Sequence, residues 1–210
     1  MLRRFFLLLI LNFPLWAFAA PTILVYGDSL SAAYGIPRDQ GWVELLQQRL
    51  VEKGYSHRIA NASVSGETTS GGLSRFNDTL QKTQPSLVII ELGANDGLRG
   101  LPVPDMKRNL ATMIEAARKQ DAKVMLLGMR IPPNYGPGYT REFANTYQQL
   151  AQQYKLPLLE FFLDGVAGKR QMVQDDGLHP TAEAQQHLLD NVWAVLHPML
   201  GKPVSRASSR

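Results

Sequence analysis

Apolar runs at 23–25, 87–90 and 124–127 constrain this chain most, because their hydrophobicity is continuous and does not alternate. A strand that is apolar at every position has both faces buried, the condition of a parallel sheet covered by helices on two sides. Five strands are expected, over 22–26, 57–62, 86–92, 123–129 and 156–160. Helical spacing marks the segments between and after them. Trp42, Leu45, Leu46 and Leu50 share one face over 42–51, and Met106, Leu110, Met113 and Ile114 share another over 105–119, with Asp105 as the expected N-cap. Further helices are expected over 73–80, 142–154 and 181–196. The Pro- and Gly-rich segment 131–139 is expected to be a loop throughout. The pattern predicts an α/β protein, a three-layer α/β/α sandwich on a five-stranded parallel sheet, in one domain over residues 20–200. In such sheets ligands gather beyond the carboxyl ends of the strands.

Composition narrows the class. The chain has no cysteine, which excludes disulfides and thiolate metal sites. Of its 22 basic residues, five lie at the termini (Arg3, Arg4, Lys202, Arg206 and Arg210), leaving 17 against 18 acidic ones. The body is close to neutral, so the net charge of +4 does not argue for nucleic acid. Arg3 and Arg4, the apolar stretch 5–11 and Ala17-Phe18-Ala19 have the order of a cleaved export signal, residues 1–19. The stretch 5–20 is interrupted by Asn12 and Pro14 and is shorter than the ~20 residues needed to span a bilayer. Residues 201–210 form a polar tail, expected to be disordered.

The expected strand ends hold a set of chemical groups. After the first comes Gly27-Asp28-Ser29, which presents a serine hydroxyl on a tight turn, with a helix N-terminus expected immediately behind it. Ser65-Gly66-Glu67 follows the second and Gly93-Ala94-Asn95-Asp96 the third. Gly66 is either a turn residue or a bare N–H for a developing oxyanion, and Asn95 either caps a turn or supplies an amide donor to the same oxygen. Ahead of the last helix stands Asp176-Gly177-Leu178-His179-Pro180. Three residues apart across a turn, Asp176 can fold back onto the His179 imidazole and fix its tautomer. No arrangement of His, Asp and Glu has metal-ligand spacing. His57, His187 and His197 are read as structural or exposed, and Gly71-Gly72 as a flexure at a helix start.

Taken together, Gly27-Asp28-Ser29-Leu30-Ser31, Ser65-Gly66-Glu67-Thr68, Gly93-Ala94-Asn95-Asp96 and Asp176-Gly177-Leu178-His179-Pro180 resemble the four blocks of the SGNH, or GDSL, hydrolases. The resemblance runs from Thr22 to about Leu200 and is nearest to the exported thioesterase, lysophospholipase and arylesterase group of Gram-negative bacteria. It implies the flavodoxin-like SGNH fold and a cofactor-free serine hydrolase of acyl esters and thioesters. It assigns Ser29 as nucleophile, His179 as base and Asp176 as its orienting carboxylate, with Ser29, Gly66 and Asn95 around the oxyanion. It further implies a periplasmic or secreted enzyme, expected to act as a monomer on small or lipid acyl esters. Ile131 and Tyr135, in the loop after the fourth strand, are expected either to line an acyl groove or to pack that loop on the core. Two other readings are a carbohydrate O-deacetylase of the same fold and a non-catalytic flavodoxin-like binding module.

Overall fold

The computed structural model describes residues 20–203. The expected signal over 1–19 and the tail from 204 lie outside the described residues. The sheet consists of β1 (Thr22–Gly27), β2 (Arg58–Asn61), β3 (Leu87–Glu91), β4 (Lys123–Leu127) and β5 (Leu158–Leu159). All pairings are parallel, in the order β2-β1-β3-β4-β5. The helices are α1 (Trp42–Glu52), α2 (Thr69–Thr83), α3 (Ala94–Leu98), α4 (Val103–Lys119), α5 (Pro137–Tyr154) and α6 (Gln185–Leu196). α1 packs with α6, whereas α2, α4 and α5 pack in a row, which gives the three layers. β1 and β3 are buried along almost their whole length, as continuous apolar runs between two helical layers require. Chain order reverses beside β1, so the loops after β1 and β3 open into one crevice at the switch point.

Several expected boundaries move, each for a local reason. The helix expected directly behind Ser29 begins only at Trp42, because Gly35, Pro37 and Gly41 keep the intervening chain in turns. α2 starts at Thr69, not 73, capped by the Thr68 hydroxyl, which accepts the Gly71 N–H at 3.2 Å. Gly71-Gly72 is therefore inside the helix. A side chain on Gly72 would press on Leu92 and Tyr26, so that glycine is a close-packing position. Asp105 is not an N-cap. α4 begins two residues earlier, after Pro102, and the Asp105 carboxylate instead bridges Arg108 at 2.9 Å. The segment expected to be loop over 131–139 contains a 3-10 turn (Pro133–Tyr135) and the first turn of α5. Pro137 is tolerated there because the first N–H groups of a helix have no internal acceptor to lose. α6 starts at Gln185, with turns over 181–184, and β5 shrinks to two residues at the sheet edge.

Candidate active site

Ser29 follows β1 on a turn closed by the Ala32 N–H donating to the Asp28 carbonyl at 3.0 Å. His179 is held ahead of α6 by its neighbour Asp176. Asp176 Oδ1 accepts the N–H groups of Leu178 (2.9 Å) and His179 (3.0 Å), and Oδ2 lies 2.6 Å from His179 Nδ1. These bonds, the His179 N–H first, lower the Asp176 carboxyl from its ordinary value to about 2. The group is thus a carboxylate at any physiological pH and can only accept. Nδ1 must then carry the imidazole proton, and Nε2, 2.9 Å from Ser29 Oγ, is left to accept the serine hydroxyl. The line Ser29–His179–Asp176 spans two loops 150 residues apart in sequence. It has the geometry of a nucleophile, a base and an orienting carboxylate.

The other expected residues fall differently. Asn95, second residue of α3, borders the same crevice, and its Nδ2 donates to Asp28 Oδ2 at 3.0 Å. One amide hydrogen is committed there, which leaves the second to point elsewhere. Gly66 is exposed at φ +78°, a conformation that suits glycine, and its carbonyl accepts from Arg99 at 2.9 Å. Neither the Ser29 nor the Gly66 N–H donates to a backbone carbonyl among the described residues. Ile131 is buried and lines a cavity of about 570 Å³ that opens beside Ser29 and His179. Leu30, Met129, Phe161, Leu163 and Val166 supply much of the remaining apolar wall. Tyr135 stands apart from this cavity. Its hydroxyl donates to the Leu98 carbonyl at 2.7 Å and its ring stacks on Tyr139, so it packs the loop onto the end of α3. Among the described residues no three His, Asp or Glu side chains are placed to hold a metal ion, and no helix is long and apolar enough to cross a membrane.

Sequence reasoning missed the polar layer beneath the serine. Asp28 is 1% exposed, and besides Asn95 it accepts the Leu30 N–H at 3.0 Å. Glu91, fully buried at the end of β3, accepts the Ser31 hydroxyl at 2.7 Å and the Asp28 N–H at 3.3 Å through Oε2, while Oε1 is buried without a partner. Burial raises the Asp28 carboxyl to about 6 and pushes Glu91 well above the usual range, with the nearby Asp28 charge adding to the effect at Glu91. Asp28, with two donors facing it, ionises first. A lone carboxylate closing an otherwise apolar strand was the available signal. Asp96 was also passed over. It accepts the Thr69 N–H (2.8 Å) and hydroxyl (2.6 Å), which ties the loop bearing Gly66 to the helix bearing Asn95.

The sequence profile of the GDSL-like lipase/acylhydrolase family matches residues 25–187. The chain belongs to that family. Its relatives include an esterase, TesA, of Pseudomonas aeruginosa, 52% identical over 182 residues, which cover 87% of this chain and 90% of that one. The thioesterase 1/protease 1/lysophospholipase L1 of Escherichia coli is 38% identical over 93% of this chain and 92% of its own. Among solved structures, the psychrotrophic esterase EstA of a Pseudoalteromonas species, inhibited by monoethylphosphonate, superposes with a TM-score of 0.82. It is 40% identical and covers 86% of this chain and 99% of that structure. As a member of the family, the chain is a serine esterase that hydrolyses acyl esters.

Proposed function

We propose that the chain transfers the acyl group of esters and thioesters to Ser29 and then to water, with the apolar cavity receiving the acyl chain. Ser29 Oγ attacks the carbonyl carbon as its proton passes to His179 Nε2, and the Asp176 carboxylate stabilises the imidazolium that forms. The N–H groups of Ser29 and Gly66 and the free amide hydrogen of Asn95 receive the oxyanion. His179 then protonates the departing alcohol or thiol. Water, activated by the same nitrogen, releases the acid. The observation that carries this reading is the Ser29–His179–Asp176 line, at 2.9 and 2.6 Å, at the mouth of an apolar cavity. A shallow polar site would suit an acetylated sugar better; this wall is mostly aliphatic and aromatic.

The reading includes export, with a mature chain beginning at Ala20. Intact-mass spectrometry of protein recovered from the native host, with and without a fluorophosphonate, tests both parts at once. The expected spectrum shows a mass starting at Ala20 and one added phosphonyl group, absent from Ser29→Ala. Retention of residues 1–19 removes the export reading, and an unlabelled wild type removes Ser29 as nucleophile.

A further inference from the structure

The segment carrying the proposed base has local hydrogen bonds but little packing of its own before Pro180. Residues 175–178 are all exposed, and the only ladder pairing beside them is a single bridge between Val173 and Pro180. Yet His179 must stand within hydrogen-bond reach of a serine on the opposite loop. Gln174 contributes to that bridge through its backbone and joins it to the serine loop through its side chain. Its backbone N–H donates to the His179 carbonyl at 2.7 Å, and its side-chain Nε2 donates to the carbonyls of Pro180 (3.0 Å) and Tyr34 (2.9 Å). Both acceptors are carbonyl oxygens, so the amide can face them only through its NH₂ group. Tyr34 in turn donates its N–H to the Ser29 carbonyl at 3.1 Å, and its ring lies against the His179 ring with centroids 4.5 Å apart.

A continuous chain of hydrogen bonds therefore runs from Ser29 through Tyr34 and Gln174 to His179. The loop is shaped around that amide. Gly35 lies at φ +76°, and a side chain there would overlap Gln174 Oε1. Ala33, a non-glycine residue at φ +59°, holds a left-handed conformation that turns Tyr34 toward the base.

We propose that Gln174 is a positioning residue that sets the distance between nucleophile and base, acting through His179 and touching no substrate. The proposal rests on the triad reading above. It predicts that Gln174→Met, which keeps the length of the side chain and removes both donors, lowers kcat on a soluble p-nitrophenyl ester by tenfold or more with KM within twofold. The deciding measurement is a double-mutant cycle with His179→Ala, whose residual turnover relies on the oxyanion donors alone. A group that works only through the imidazole has nothing to position once the ring is gone, so Gln174→Met should then have no effect. A kcat loss of tenfold or more that vanishes in the His179→Ala background supports the proposal. A smaller loss, or one that persists in that background, overturns it. Should Gln174→Met fail to fold, Gln174→Asn, too short to reach both carbonyls, takes its place in the same cycle. If His179→Ala alone keeps wild-type activity, the triad reading fails and the clamp with it. If His179→Ala is inactive while Gln174→Met is unimpaired, the clamp alone fails.

Discussion

At the scale of single residues, the site joins two groups of carboxylates with opposite tuning. Asp176, on the surface, is stabilised as an anion by three N–H groups, whereas Asp28 and Glu91 are pushed toward their neutral forms by burial. The two buried groups bind protons more tightly in the folded chain than in the unfolded one. Their contribution to stability is complete below the ordinary carboxylate pKa of ~4 and is lost as pH rises, through about 6 for Asp28 and higher for Glu91. Glu91→Gln does not titrate. Its melting temperature should therefore gain on the wild type between pH 5 and pH 8, by about 3 °C for each 1 kcal/mol in a domain of this size. A difference that stays constant across that range would show that Glu91 is not strained as an anion. Asn95 gives a second prediction. Asp28 holds one of its amide hydrogens, so the other is fixed in direction before substrate arrives. Asn95→Ala should lower kcat by about 10²–10³ with little change in KM. A loss below threefold in steady-state assays would remove the amide from the oxyanion site.

At the scale of elements, the site depends on how sharply β3 passes into α3. Gly93 makes that turn at φ +119°, beyond reach of an L side chain without strain, and an added Cβ would overlap the Tyr147 hydroxyl. That hydroxyl donates to the Leu92 carbonyl at 3.0 Å, so it cannot move aside without leaving a buried acceptor unpaired. Gly93→Ala should cost about 2 kcal/mol or more in urea denaturation, with the m-value unchanged. A cost under 0.5 kcal/mol would mean the turn has another conformation available. The β2–α2 connection is held from two sides. Arg75 donates to the Ala62 carbonyl at 2.8 Å and pairs with Glu67 at 2.6 Å, while Asp96 grips Thr69 at the head of α2. Gly66 is thus presented on a clamped loop.

At the scale of the whole molecule, the cavity exists only because loops from distant parts of the chain close around it. Leu30 follows β1, Ile131 follows β4, and Phe161 to Val166 follow β5. An apolar chain entering it gains about 0.8 kcal/mol per methylene, so kcat/KM should rise about fourfold per methylene along a p-nitrophenyl ester series until the cavity is full. Ile131→Ser should flatten that rise, whereas a profile that falls from acetate onward would favour the O-deacetylase reading. How much of this was legible beforehand differs by feature. The apolar runs at 23–25, 87–90 and 124–127 determined a buried parallel sheet, because continuous hydrophobicity leaves a strand no solvent face. The spacing of Asp176 and His179 made their pairing possible, because three residues across a turn bring the carboxylate within reach of the imidazole. The start of α5 at Pro137 was hidden, since Pro and Gly mark a loop and a helix N-terminus alike. Which of its two expected roles Tyr135 takes was not legible, because the partner of its hydroxyl, the Leu98 carbonyl, lies 37 residues away in the chain. The sequence by itself thus determined the local chemistry: which side chains stand at strand ends, and which near neighbours can bond. Only the tertiary structure decided the contacts across 60 to 150 residues, Asp28 with Asn95, Ser31 with Glu91, Tyr34 with Gln174 and Ser29 with His179. Such contacts follow from strand order and loop closure, and those are set by packing of the whole core rather than by any local spacing.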